Sequence, residues 1–503
     1  MENTDHALMN LLRSVLLDEK PADPALTPEE WQALLRSAEA HKLLPLILDA
    51  ACALPSCRHA LSRHSERTEE SASPVQSLPL GGKVSPQATD EVLSRQAAPS
   101  TDQTVPVTPP HPSSGLRETP DATFPSRGRQ TEAPVSGHSE RSEESASPSR
   151  SAGNLPANSP DWKVLVLEQV TRQAIQENEF LNLILDLRAR GLEPVVMKGC
   201  VCRALYPKPL LRPSVDDDLL IPDELAPAFH AALLELGMTA DEPDADVEKA
   251  WELSYHKPNS PLYIELHKRL FDPESDVFID FNEPFAGAVD RAVPVQIQDV
   301  TLKTLAPTDH LLFLILHAYK HFLFSGFGLR IVADVCLYAR QYGPETDFEK
   351  IAGICDARRC GSFTAALFRI GEKYLGLPIP TAFDRPEVDE TALLEDVLAA
   401  GLVGADIDRL HSANITLGAV ADHNTGRTPG SGWRKELLPS AKQLSGRYPW
   451  LEKRPWLLPA AWAARIGTYL KTRGKYGRQS PAASLRIGKE RVQLLRTYGI
   501  IDE

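Results

Sequence analysis

Apolar residues recur at spacings of three and four in several long stretches, and that period predicts helices. The first is "LTPEEWQALLRSAEAHKLLPLILDAA" (Leu26 to Ala51), opened by Thr27 as cap, Pro28 at the first helical position and Glu30 three residues after the cap. The second, "DWKVLVLEQVTRQAIQENEFLNLILDLRARG", runs from Asp161 and should end near Gly191. From about Asp309 to Leu417 the helical period dominates, beginning with "HLLFLILHAYKHFLF" at His310. Between these helices the period shortens. "EPVVMKG" is a β-type run stopped at Gly199, and "CVCRALYP" gives one or two helical turns stopped at Pro207. "DDDLLIP" is a second strand, and "DELAPAFHAALLELG" is a helix ending at Gly237. "SPLYIELHKRLF" alternates, with Tyr263, Glu265 and His267 on one face and Ile264 and Leu266 on the other. These runs predict a small α/β unit with a mixed sheet, roughly Pro194 to Leu270.

Polarity divides the chain further. From about Leu54 to Pro160 it is rich in Ser, Pro, Thr, Glu and Arg and nearly empty of aromatics. The unit "HSERTEESASP" at His64 returns as "HSERSEESASP" at His138. It is too polar to stack as a solenoid repeat. Such a segment buries too little apolar area to offset its ordering entropy, so a disordered insert is expected. The fold class is therefore α+β. A small mixed-sheet core is flanked by N-terminal helices and a C-terminal helical region. The expected organisation is 1–53 helical, 54–160 insert, 161–300 α/β core, 301–430 helical and 431–503 a basic, Trp-rich segment.

Net charge is -14, which excludes a generic polyanion binder, yet the segment from Ser431 onward carries 15 Lys and Arg against 5 Asp and Glu. Four of the seven tryptophans lie there, Trp433, Trp450, Trp456 and Trp462. That mixture suits either packing on the acidic body or a peripheral contact with an anionic membrane or nucleic acid. The first residues lack a basic stretch followed by an apolar one, and the apolar run at His310 is too short to span a bilayer. Seven cysteines include one CxC pair, Cys200 and Cys202, and no metal-type cluster. A cytoplasmic setting is expected.

The candidate chemistry lies at the second strand. Alternation puts Asp216 and Asp218 on one face and Asp217 on the other. Paired carboxylates repel unless a cation lies between them. Mg²⁺, or Mn²⁺, takes oxygen ligands, and Glu265 on a neighbouring strand is the third candidate. Such a trio suits phosphoryl chemistry. Lys198 and Gly199, where a strand gives way to a helix, offer a charge and a close backbone approach to phosphate. Arg212 offers a bidentate fork. His317, Lys320 and His321 share a helical turn, with Arg330 and Asp334 following; a structural role outweighs metal binding there.

In combination, Lys198-Gly199, Tyr206-Pro207, Arg212-Pro213, Asp216 and Asp218, and Glu265-Leu266-His267 resemble the uncharacterised nucleotidyltransferase family of the DNA polymerase β-like superfamily. "LRIVADVCLYAR", with Asp334, and the stretch from Leu444 to Leu470 extend the likeness. The resemblance implies that Asp216, Asp218 and Glu265 are catalytic and bind Mg²⁺ or Mn²⁺. It implies that Lys198, Gly199, Arg212 and His267 hold the NTP, and that an unknown acceptor attacks the α-phosphorus, releasing pyrophosphate. The chain departs from the pattern at Asp217 and Val215. Asp217 should face the core and needs a partner there, for which Arg203 and Lys208 are the candidates. That anomaly motivates an alternative, a decayed binding or regulatory protein on the same fold. A metal-dependent phosphohydrolase is a third reading.

Overall fold

The computed structural model describes residues 3–61, 161–402, 407–427, 451, 454–462 and 481–502. Of the insert expected at 54–160, residues 55–61 are described and helical; 62–160, with both copies of the repeated unit, lies outside the described residues, as do Trp433 and Trp450.

Three N-terminal helices, α1 (Asn3–Leu16), α2 (Pro28–Ala40) and α3 (Leu44–Ala51), are followed by a short helix, α4, at 55–61. The capping box forms as read. Glu30 N–H donates to Thr27 Oγ1 (3.2 Å), and Thr27 N–H donates to Glu30 Oε2 (2.8 Å). After Asp161, whose carboxylate accepts from the N–H groups of Lys163 and Val164, the long helix α5 runs Trp162–Ala189.

The sheet comprises β1 (Val195–Met197), β2 (Asp217–Leu220), β3 (Thr239–Ala240), β4 (Glu252–His256), β5 (Tyr263–His267), β6 (Val293–Ile297) and β7 (Val300–Thr304). Its strand order is β3-β4-β5-β2-β1-β7-β6. The β2–β5 and β1–β7 pairs are parallel and the others antiparallel, so the sheet is mixed. A five-residue helix, α6 (Gly199–Arg203), follows β1, and α7 (Ala226–Glu235) follows β2. The sequence reading named the β1, β2 and β5 runs but not β3, β4, β6 or β7. The β6–β7 hairpin exposes every second residue, Pro294, Gln296, Thr301 and Lys303, and turns through Gln298 at φ +49°. Nothing apolar enough marks it in the sequence, yet β7 lies against β1 and extends the sheet past Leu270.

One face of the sheet is covered. Ile264, Leu266 and Leu219 are buried there, and His230 of α7 meets the Tyr255 hydroxyl at 2.8 Å. The other face carries Asp218, Glu265, His267 and Glu252. Beside it stand α8 (Pro307–Phe324) and α9 (Leu329–Tyr342), which pack on each other. Behind them lie α10 (Phe348–Ala357), α11 (Gly361–Leu375), α12 (Thr391–Leu402) and α13 (Ile407–Asn424). A C-terminal helix, Pro481–Thr497, packs on α13, and its buried Arg491 donates to Asp396 and to the Phe322 carbonyl. Of the basic segment's tryptophans, Trp456 is exposed and Trp462 packs on Leu451 and Ala461. No described helix is long and apolar enough to cross a membrane.

The N-terminal helices join the rest through one core and one buried imidazole. His41, which ends α2, is 1% exposed and accepts a hydrogen bond from Leu329 N–H through Nδ1 (3.2 Å) at the start of α9. Burial lowers its pKa from 6.5 to about 4, so the folded protein keeps it neutral. The unfolded chain takes up a proton at this residue first as pH falls. His41 therefore contributes stability that is full above pH 6.5 and lost between there and about pH 4. In urea titrations, the stability advantage of wild type over His41→Gln should shrink by up to about 3 kcal/mol between pH 7 and pH 4. A pH-independent difference would refute this role.

Candidate active site

The parallel pairing of β2 and β5 sets Asp218 beside Glu265 and Leu220 beside His267. Side chains of one parity share a face, so Asp218, Glu265 and His267 converge on the face opposite Ile264 and Leu266, toward α8. One ligand atom from each lies within 4.8 Å of the others. His267 Nε2 is 3.1 Å from Asp218 Oδ1 and 3.6 Å from Glu265 Oε2, and its Nδ1 is 3.5 Å from Glu252 Oε2. Burial alone would lower its pKa, but the hydrogen bonds to Asp218 and Glu265 and the Glu252 charge prevail and raise it to about 10. His267 is thus a cation among three carboxylates. The sequence reading grouped Asp216 with Asp218 and Glu265 and set His267 with the nucleotide. The structure instead draws His267 into the carboxylate group. Asp216 stands just before β2, outside that group, on the wall of an adjoining cleft.

The cleft opens to solvent, and the empty space in and above it is about 390 Å³. Lys198, Gly199, Arg212, Asp216, His317 and Arg330 line it. Lys198 Nζ bridges Asp218 Oδ2 (3.0 Å) and His317 Nε2 (2.9 Å). The Arg212 fork is occupied. Its Nε and Nη2 donate to Asp334 Oδ1 (3.2 Å) and Oδ2 (2.5 Å), and Tyr206 adds its hydroxyl to Oδ1 (2.8 Å). Arg330 Nη1 donates to the Pro213 carbonyl (3.2 Å), bracing the loop that enters β2. The helical turn of His317 is therefore part of the cleft wall. Lys320, one turn on, lies over the Trp251 ring at 5.9 Å.

Asp217 faces the covered side and is 0% exposed. Neither expected partner bonds to it, although the Arg203 charge acts on it. Arg203 binds Glu177 (2.6 Å) and Ser214 Oγ (2.6 Å), and Lys208 binds Asp49. Asp217 is held by Gln176 of α5, whose Nε2 donates to Asp217 Oδ2 (3.0 Å) and lies 3.3 Å from the Val215 carbonyl. Gln173, one turn earlier, accepts from Ser214 N–H (2.7 Å). One polar face of α5 thus clasps the loop before β2. Burial raises the Asp217 pKa, and the Arg203 charge and the Gln176 amide offset this only in part.

Two backbone features adjoin Asp217. Lys198 has φ +45° and ψ -123°, a conformation that costs a lysine about 1–3 kcal/mol. Gly199 follows at φ +33°, and a Cβ there would overlap the Asp217 carboxylate. The glycine therefore lets α6 start against β2. The sequence reading also missed His310, which accepts from Lys198 N–H, and Glu252 beside His267. His310 sits in an apolar run without a motif, and Glu252 lies on an unread strand.

Residues 147–376 match the family model described as an uncharacterised nucleotidyltransferase. No curated protein and no solved structure matches. The matched region is similar to that nucleotidyltransferase family and holds the site residues named above.

Gly199→Ala should cost about 2–4 kcal/mol, from overpacking against Asp217 and from the positive φ. Adding Asp217→Ser should restore the packing part but not the backbone part. Chemical denaturation of both variants checks this; a wild-type midpoint for Gly199→Ala would contradict it.

Proposed function

We propose that this protein transfers a nucleotidyl group from an NTP to an acceptor hydroxyl, assisted by a divalent cation held at Asp218 and Glu265. The observation that carries the reading is the in-register acidic pair beside a cleft lined by Lys198, Arg212 and Arg330. Two carboxylates, with an imidazole that could ligate only after giving up its proton, lie within 4.8 Å and suit one ion with bonds of about 2.0–2.6 Å. The oxygen donors suit Mg²⁺ or Mn²⁺. Asp216, on the cleft wall, is a further candidate ligand on the phosphate side. A bound cation would supply Lewis-acid stabilisation of the phosphoryl oxygens.

The chain's own groups account for the rest. Lys198 and Arg330 counter the triphosphate charge. Arg212, fixed by Asp334, adds its field without changing partner. Glu265 accepts the acceptor's proton as the new O–P bond forms, and the bond from the α-phosphorus to the bridging oxygen breaks to release pyrophosphate. In-line displacement needs the acceptor opposite the leaving group. The strand order β1-β2-β5-β4 supports an acceptor approaching from the β4 side, past Glu252 and Ser254. The carboxylate facing the core, which motivated a decayed protein, is accounted for by Gln176.

Asp218→Asn should reduce transfer of α-phosphate label from NTP in cell extract by at least about 100-fold with Mg²⁺ or Mn²⁺. Glu265→Gln should lower transfer while leaving metal-free NTP binding unchanged. Undiminished transfer by Asp218→Asn would sink the proposal. A wild type that binds NTP yet labels nothing would favour the binding-protein alternative.

A further inference from the structure

We infer that His310, with Thr304, is a positioning residue that fixes the main chain of Lys198 and thereby sets where its ammonium acts. The inference rests on the reading above that Lys198 meets the nucleotide.

Each proton in the contact has a defined place. Lys198 N–H donates to His310 Nε2 at 3.2 Å. Because Nε2 accepts, the ring proton is on Nδ1, which faces Thr304 Oγ1 at 3.2 Å. Thr304 in turn donates its hydroxyl proton to the Val196 carbonyl at 2.7 Å. The chain of bonds therefore leaves from the Lys198 amide and returns to β1 two residues earlier. All of it is buried, with His310 at 0% and Thr304 at 4% exposure, and the imidazole lies on the Tyr338 ring at 4.7 Å. Burial lowers the His310 pKa to about 3, so the neutral form persists. A proton on Nε2 would set two donors against each other.

This clasp holds a backbone that lysine does not prefer. At φ +45° the Cα–Cβ bond points where an ordinary strand residue could not send it. From there Nζ reaches both Asp218 and His317. Glycine would adopt this conformation readily but would carry no ammonium. A strained residue whose amide is pinned by a buried neutral histidine is the signature of a side chain whose position matters.

A double-mutant cycle tests the inference. The probe is ATP, GTP, CTP or UTP with Mn²⁺, whichever most raises the melting temperature of the wild type, and the readout is its Kd. His310→Leu should weaken binding by about the same factor as Lys198→Ala, on the order of tenfold. The double variant should be no worse than Lys198→Ala alone, because both changes act through one group. His310→Gln, whose amide oxygen can stand in for Nε2, should bind within about twofold of the wild type. Thr304→Val, which removes the acceptor for Nδ1–H at unchanged shape, serves if His310→Leu fails to fold, and should be equally non-additive with Lys198→Ala. Wild-type Kd in a folded His310→Leu, or factors that multiply in the double variant, would overturn the positioning role. If Lys198→Ala itself binds as wild type, the nucleotide reading of Lys198 fails and takes this inference with it.

Discussion

Three consecutive carboxylates, Asp216, Asp217 and Asp218, are buried at 6%, 0% and 1% exposure, and the surrounding structure is arranged to make that tolerable. An isolated buried carboxylate costs several kcal/mol or gives up its charge. Strand alternation prevents one partner from serving all three. Asp218 is met on the face toward α8 by Lys198 and by protonated His267. Asp217 is met on the covered face by Gln176, while the Arg203 charge nearby is shared with Glu177 and Ser214. The cleft wall beside Asp216 contains Arg212 and Arg330. Helix α5, strand β5 and the β1–α6 turn therefore each have a polar duty toward one short segment.

The strand order converts this charge balance into a direction. Lys198 follows β1, Asp218 is on β2, Glu265 and His267 are on β5, and Glu252 is on β4. Cationic groups concentrate on the β1 side, where α8 and α9 close the cleft. Carboxylates concentrate toward β5 and β4. A polyphosphate and a proton-yielding hydroxyl make opposite electrostatic demands, and on the proposed reading each finds its side of β2.

What could be read from the sequence was what local periodicity encodes. Thr27-Pro28-Glu30 announced its capping box, and the run from Trp162 announced α5. The alternation in "YIELH" set Glu265 and His267 on one face. The adjacency of β2 and β5 followed from the need for a third carboxylate. What could not be read depends on residues that look ordinary in isolation. Gln173, Gln176 and Glu177 have the composition of a solvated helix face, yet they are buried at 2%, 1% and 4%. The partners of the two glutamines lie about 40 positions away and those of Glu177 at Arg203 and Gln298, beyond any local pattern, so nearby cations are the partners that the sequence offers Asp217. Arg212 looked available to phosphate because Asp334, 122 residues on, could not be placed against it. His310 was hidden by its apolar neighbours, although an imidazole inside such a run already signals a buried hydrogen bond.

The cations that make burial of Asp218 possible also define the competition any metal ion must win. Lys198 and His267 together place two positive charges against Asp218, Glu265 and Glu252. On the proposed reading, a divalent ion entering alone would displace one or both of them, leaving a buried ammonium or imidazolium with fewer partners. A nucleotide arriving with the ion changes that balance, because its phosphates give Lys198 a new anion within reach of the cleft. Metal and nucleotide should then favour each other's binding by the free energy of that exchange, and by linkage the effect is reciprocal. The strained Lys198 backbone serves such an exchange. With the main chain pinned, the ammonium can change partners by side-chain rotation alone, without disturbing the strand that carries the carboxylates.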